Sequence, residues 1–341
     1  MAGRERESGS TTPTTDSPLV SLTDIRRAAA TLEGIALRTP LLAFGPPERR
    51  EFVKAESLQP IGAFKIRGAY VAIAALEPAV RARGVIAYSS GNHAQGVARA
   101  ARLFGVPAVI VMPSDAPAIK RERVVADGAE VVTVGPASEE RRLTAERIAA
   151  ERGLSIIPPF DDDRIIAGQG TCGLEIAEEL PDLAAVLVPV GGGGLAAGVA
   201  TAVRAVRPAA RIVGVEPELA ADARDSLRAG RLIAWPAEQV GRTIADGTRT
   251  QSIGLRNLAH FRAYLDDIVT VSEDEIIAAV RLAADECRLV VEPSGALSIA
   301  ALRFHPREAG LDGLTGARVA VVSGGNVDPA RYRELLGGSP G

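Results

Sequence analysis

The run at residues 62–69, GAFKIRGA, places Lys65 between Phe64 and Ile66, with Gly62 and Gly68 close by. Apolar flanks and bare backbone strip water from an amine and lower its pKa toward nucleophilic use. Standing alone, such a lysine would read as an ordinary solvated charge. Three other runs carry compatible chemistry. Residues 89–96, SSGNHAQG, bring Ser89, Ser90, Gly91 and Asn92 to a helix start, which suits a carboxylate. Capping that helix would need only one of them. His93 by itself reads as a structural histidine. Gly191, Gly192, Gly193 and Gly194 form a loop whose backbone N–H groups can bind phosphate without any side chain. Residues 323–326, SGGN, offer the Ser323 hydroxyl and two glycines to the edge of a flat ligand, or form no more than a tight turn.

These runs need elements to bring them together. Short β-branched stretches alternate with Ala-rich helical ones: strands at 85–90, 108–112, 130–134, 185–190, 211–216 and 318–323. Helices are predicted over 92–104, after Pro117, over 138–152, from Leu195 and over 296–304. Gly105, Gly128 and Gly153 follow three of them, as left-handed closing residues do. This rhythm predicts an α/β protein with parallel sheets covered by helices on both faces. The tetraglycine and SGGN then fall at the C-terminal ends of strands, where open parallel sheets bind ligands.

The glycine loop also satisfies a dinucleotide fingerprint. Gly191, Gly193 and Ala196 match G-x-G-x-x-A, and Glu216 ends the next strand where a ribose-binding acid belongs. An NAD-dependent oxidoreductase is therefore a reading from another class, but it leaves GAFKIRGA and SSGNHAQG without a purpose.

Composition narrows the field. The 341 residues carry a formal net charge of −3 with acids and bases intermixed, so no nucleic-acid footprint appears. No apolar run reaches the roughly 20 residues of a membrane span. Two cysteines, Cys172 and Cys287, are too few for a disulfide framework, and a cytoplasmic location is expected. H-E-x-x-H, G-x-S-x-G and P-loop patterns are absent. Residues 1–18 lack the apolar stretch of a secretory signal and read as a disordered tail.

Taken together, KAESLQPIGAFKIRGA, SSGNHAQG, the tetraglycine, VEPELAAD, TIADGT, VVEPSGA and SGGNVD stand in the order of the fold-type-II pyridoxal-phosphate enzymes. The chain resembles their threonine/serine dehydratase and serine racemase group from about residue 22 to 336. The resemblance implies two doubly wound α/β domains of the tryptophan synthase β-like kind: a large pyridoxal phosphate-binding one from 19–83 with 162–341, and a small one from 84–161. It implies that Lys65 carries the cofactor on its amine and later removes the α-proton. Phe64 lies beside the ring, Asn92 binds its 3-hydroxyl, the four glycines hold the phosphate, and Ser323 faces the ring nitrogen. Residues 89–93 (Ser89, Ser90, Gly91, Asn92, His93) grip the substrate carboxylate. A hydroxyl opposite the ring nitrogen stabilises a protonated ring only weakly, which favours expulsion of a β-hydroxyl over transamination. The cofactor is the electron sink. The implied reaction converts L-threonine to 2-oxobutanoate and L-serine to pyruvate, with release of ammonia.

Ser90 holds the position of the opposite-face base of serine racemases, where many threonine dehydratases have alanine. A serine racemase or a 3-hydroxyaspartate dehydratase using the same site is therefore the alternative. Ala63 replaces the serine of the commoner SFK form. Glu216, Ala220 and Asp222 match the family's divalent-cation site, a set of hard oxygen ligands for Mg²⁺ or Ca²⁺ completed by water; two solvated acids are the plainer reading. Glu292 is expected on the cofactor side and Asp246 behind it, neither as a catalytic group. The partners implied are an amino-acid substrate and a second copy of the chain in a homodimer. With the chain ending soon after SGGNVD, no C-terminal regulatory domain is expected.

Overall fold

The computed structural model describes residues 17–89, 91–116, 118–135 and 138–337. Of the expected tail, all but Ser17 and Pro18 lies outside the described residues. The described residues form ten strands: β1 (Leu41–Phe44), β2 (Glu51–Ala55), β3 (Val85–Tyr88), β4 (Ala108–Pro113), β5 (Glu130–Val134), β6 (Ser155–Ile156), β7 (Leu183–Pro189), β8 (Arg211–Pro217), β9 (Asp267–Val271) and β10 (Ala317–Val322). They make a six-stranded sheet in the order β1-β2-β10-β7-β8-β9 and a four-stranded sheet in the order β5-β4-β3-β6.

All neighbouring strands are parallel except β1 and β2. The short connection from Phe44 to Glu51 is the reason, because a parallel return needs a crossover of a dozen or more residues. The expectation of parallel sheets is thus met apart from this edge hairpin.

Parallel strands are covered on both faces, and the side-chain alternation sorts each strand between two cores. Val186 and Val188 of β7 join Val319 and Val321 of β10 in one apolar cluster, with the helices Asp163–Glu179 and Gly194–Val206. Ala185 and Leu187, with Ala320 and Val322, face the opposite cluster and the helix Pro293–Phe304. The smaller sheet repeats the pattern. Val85 and Ala87 pack against the helix Asn92–Phe104, and Ile86 against Ser138–Arg152.

After β7 the chain turns to the first face of the large sheet; after the adjacent β10 it turns to the second. Loops leaving neighbouring parallel strands in opposite directions open a crevice at their C-terminal ends. That crevice is where the chemistry-bearing loops gather.

Strands β1, β2, β6 and β9 are additions to the predicted set. β2 is obscured by its charges: Lys54 and Glu51 are both buried within it. Lys54 Nζ meets Glu175 Oε2 at 2.7 Å and the Thr39 carbonyl at 2.6 Å, so its alternation looks half-solvated in sequence when it is wholly internal.

Candidate active site

A cavity of about 500 Å³ lies between the two sheets, at the C-terminal ends of β3, β7 and β10. Phe64, Lys65, Ser89, Gly91, Asn92, His93, the four glycines and Ser323 all line it. Ser90 lies outside the described residues. Glu216, Ala220 and Asp222 are not part of its lining.

Four α-helices among the described residues begin at this cavity without a side-chain cap: Lys65–Ala74, Asn92–Phe104 after Gly91, Gly194–Val206 after Gly193, and Pro293–Phe304 after Glu292. A helix start leaves N–H donors without intrahelical partners and carries partial positive charge, so the site offers anion-binding ends on several sides. The tetraglycine cannot carry side chains. A Cβ on Gly192 would stand 2.0 Å from the ring of Phe160, and Gly193 adopts φ +98°. The Gly192 carbonyl accepts from Asn257 Nδ2 at 2.7 Å and from the Gly254 N–H at 3.1 Å, which fixes the loop from behind.

Lys65 is the first residue of its helix and half-buried, with its amine 5.1 Å from the Phe64 ring centroid. Nζ donates to the carbonyl of Pro159 at 2.7 Å. Loss of water around it pulls the pKa down to about 8. His93 is buried, and its Nε2 donates to the Ile157 carbonyl at 2.9 Å. Burial, then the nearby Lys65, pulls its pKa to about 3, so it stays neutral. Its ring is committed to the scaffold, and its share in any carboxylate site would come from the helix backbone.

Asn92 Nδ2 donates to Glu292 Oε1 at 2.6 Å, and its Oδ1 accepts from Asn326 Nδ2 at 2.8 Å. Glu292 is buried; burial and then the charge of Asp246 raise its pKa to about 7, against the pull of Lys120 and the Asn92 amide. Asp246 pairs with Lys120 at 2.5 Å. The Ser323 hydroxyl donates to the Ser294 carbonyl at 3.4 Å, and the Ser323 carbonyl accepts from the Phe64 N–H at 3.0 Å. This contact, with the bridge between Ala63 and Gly324, ties the lysine loop to the SGGN loop.

Several lining residues carry no signal in the sequence. The segment Pro159, Phe160 and Asp161 closes one wall, Arg141 and Arg142 border another, and Ser294 accepts from the Gly247 N–H at 2.8 Å. Burial raises the Asp161 pKa, although its carboxylate accepts from the N–H groups of Leu255 and Arg256.

The Glu216 carboxylate is buried at the end of β8 and accepts from the N–H groups of Ala223 at 3.0 Å and Arg224 at 2.8 Å. It thereby serves the start of the helix Asp222–Ala229 and is fully buried outside the cavity lining, which removes the acid that the dinucleotide reading needs. Both oxygens of Asp222 are buried and meet no partner at full hydrogen-bond geometry among the described residues, although the backbone of Ile253 and of Asp222 itself partly offsets the rise in pKa that burial causes. Among those residues no group of three or more His, Cys, Asp or Glu side chains forms a metal shell. A cation there would take much of its shell from carbonyls and water.

A dehydrated lysine facing open helix N-termini across a switch-point crevice defines a class: proteins that hold a phosphorylated carbonyl cofactor beside an anionic substrate. Residues 33–325 match the family described as pyridoxal-phosphate dependent enzyme, and the chain belongs to that family. It is 42% identical over 288 residues to an L-threo-3-hydroxyaspartate ammonia-lyase of Saccharomyces cerevisiae, covering 84% of this chain and 86% of that one. It is 39% identical to a serine racemase of Schizosaccharomyces pombe, over 92% of this chain and 96% of the relative. Among solved structures, a threonine deaminase of T.th. superposes with a TM-score of 0.84 at 44% identity, over 90% of this chain and 99% of that one. The fold is that of the fold-type-II enzymes, and pyridoxal phosphate is the cofactor. Among the described residues no helix is long and apolar enough to cross a membrane.

The residues fit the group. A loop that excludes side chains, at the start of a 13-residue helix, suits a phosphate, and a dehydrated amine across the cavity suits a carbonyl carbon.

Proposed function

We propose that the protein is an ammonia-lyase acting on L-threonine and L-serine, yielding 2-oxobutanoate or pyruvate and ammonia. The observation that supports this reading is the Lys65 amine, its pKa drawn down to about 8, standing among uncapped helix N-termini in one cavity. When bound, pyridoxal phosphate supplies the sink for the electron pair left as the Cα–H bond breaks.

The chain's own residues supply the rest. Gly191 to Gly194 would hold the phosphate by backbone N–H groups, and Phe64 would lie beside the ring. Asn92 would orient the ring through its 3-hydroxyl, and the Ser323 hydroxyl would serve the ring nitrogen. Ser89 and the start of the helix at Asn92 hold the substrate carboxylate. Lys65 Nζ would take the proton from Cα and return it to the departing β-hydroxyl, so that the group leaves as water; uptake of one water would then release the 2-oxo acid and ammonia.

A second reading is favoured by Arg141 and Arg142 in the lining. Arg142 is already bridged to Glu139 and Glu146, and the positive charge of this wall as a whole would favour a second carboxylate on the substrate, as in 3-hydroxyaspartate. The test is release of 2-oxo acid and ammonia from L-threonine, L-serine and L-threo-3-hydroxyaspartate, with chiral analysis of serine for the racemisation that Ser90 would support. Equal amounts of 2-oxobutanoate and ammonia from L-threonine are expected. A kcat/KM more than about tenfold higher for hydroxyaspartate, a gap of ~1.4 kcal/mol, would transfer the assignment to it. Silence with all three would end both readings.

We also propose that Asp222, with Glu216 and the Ala220 carbonyl, takes a divalent cation, on the strength of the two buried oxygens of Asp222 that meet no partner at full hydrogen-bond geometry. A ligand at 100 times its Kd stabilises a fold by about 2.7 kcal/mol. Millimolar Mg²⁺ or Ca²⁺ should therefore raise the melting temperature by a few degrees. Asp222→Asn should remove that response, and an unmoved wild-type Tm with either ion would refute the site.

A further inference from the structure

The orientation of Asn92 is not set within its own loop. Its Oδ1 accepts from Asn326 Nδ2, and the same Nδ2 donates to the Ile61 carbonyl at 2.8 Å. Asn326 Oδ1 accepts from Arg123 Nη1. A guanidinium has only donors, so the group facing it must be the Asn326 oxygen. The Asn326 nitrogen then faces Asn92, the Asn92 oxygen faces Asn326, and Asn92 Nδ2 is left pointing toward Glu292 and the cavity. The Arg123 guanidinium, a donor only, and the Ile61 carbonyl, an acceptor only, thus hold the Asn326 amide from both ends and give the chain a single sense.

Arg123 is well placed to hold that sense. Its helix, Ala118–Ala126, rests against the helix Asn92–Phe104, and Asp127 just beyond it accepts from Arg99 Nε at 2.5 Å and Arg102 Nη1 at 3.4 Å. The guanidinium and Asn92 are therefore carried by one packed pair of helices, while Asn326 comes from the segment after β10 in the other sheet. Asn326 has little room to adjust, since a Cβ on Gly62 would stand 2.4 Å from its Oδ1.

We infer that Arg123 is a positioning residue: by locking Asn326 it fixes the Asn92 amide in the sense that meets the 3-hydroxyl of the cofactor. The inference rests on the role proposed above for Asn92. Without the guanidinium, Asn326 Oδ1 loses its charged donor, and Asn326 itself is held only by neutral bonds to Ile61 and Asn92, which are about half as strong.

The test compares holoenzyme carrying Arg123→Met, Arg123→Lys, Asn326→Leu and the Arg123→Met/Asn326→Leu pair. Two quantities are read: the cofactor dissociation constant, and the wavelength of the visible band, which reports the state of the ring oxygen. Arg123→Met should weaken cofactor binding by about tenfold, ~1.4 kcal/mol, and displace the band. Arg123→Lys, which keeps a cationic donor, should recover most of both. The double variant should be no worse than Asn326→Leu alone, because the two residues act in series. A lowered melting temperature with band and dissociation constant unmoved would make Arg123 merely structural and overturn the inference. Additive losses in the double variant would overturn it equally. If Asn92→Ala itself left the band in place, the proposed role of Asn92 would fall first and this inference with it; a band sensitive to Asn92 but indifferent to Arg123 sinks the inference alone.

Discussion

Replacing Lys65 by alanine is expected to leave a colourless protein and to lower 2-oxo acid release by at least about 10⁴-fold, the upper range for loss of a positioned base. The comparison that makes this specific is with Lys120, the other lysine lining the cavity. Lys120 pairs with Asp246 at 2.5 Å, whereas Lys65 Nζ donates to the neutral carbonyl of Pro159. With a pKa of about 8, half of the Lys65 amines are neutral at pH 8. For an unshifted lysine the share would be about 0.3%. Only the neutral amine attacks a carbonyl, so capture of pyridoxal phosphate by cofactor-free protein should rise about tenfold per pH unit up to pH 8 and level off above it. Absorbance before and after borohydride reads the outcome: wild type and Lys120→Ala should each show a yellow band that borohydride removes, and Lys65→Ala none. A reducible band in Lys65→Ala, lost instead in Lys120→Ala, would reassign the lysine.

What can be read in advance follows from how far each feature depends on distant partners. The tetraglycine's place at the cavity is legible because a loop without side chains stands between a strand and a helix. SSGNHAQG is legible as small polar residues that follow a strand and open a helix, and both runs sit where the β-branched rhythm puts strand ends. The paired sheets can be expected from that rhythm, whereas β2 is hidden by buried Lys54 and Glu51. Glu216 shows the limit within a motif. Its spacing from the glycine loop suits a ribose-binding acid, yet two backbone N–H groups seven and eight residues on occupy it. Arg123 and Asn326 lie 203 residues apart and Asn92 and Glu292 200 apart, and no local pattern links either pair. The walls at Pro159–Asp161 and Arg141–Arg142 are equally silent, and they are what would shape the preference between a hydroxy amino acid and its carboxylated analogue.

The second large effect belongs to Arg67, two residues along the helix from Lys65. Its side chain is fully buried, with Nε and Nη2 donating to Glu56 at 2.7 and 2.8 Å and Nη1 to Glu175 at 2.6 Å and Thr171 Oγ1 at 3.0 Å. Burial alone would raise the Glu56 pKa, but the Arg67 guanidinium, with help from Lys54 and Thr39, holds it below its ordinary value. Arg67→Met should cost about 3–5 kcal/mol, the usual penalty for stranding a buried charge. The pH dependence gives the sign. In the wild type Glu56 has a depressed folded-state pKa, so its contribution is present above about pH 4.5 and lost as pH falls through the lower folded value. In Arg67→Met, burial acts with less opposition, the folded pKa rises above the unfolded one, and stability should increase as pH falls from 8 toward 5. Adding Glu56→Gln to Arg67→Met should recover part of the loss at pH 8 and flatten that slope. Urea unfolding at pH 5, 6.5 and 8 decides it: an Arg67→Met loss that is constant across this range would mean the cost is lost packing and not a stranded carboxylate. Because this cluster pins the helix that begins at Lys65, the same variant should also loosen the hold on the amine, lowering turnover beyond what its folded fraction explains.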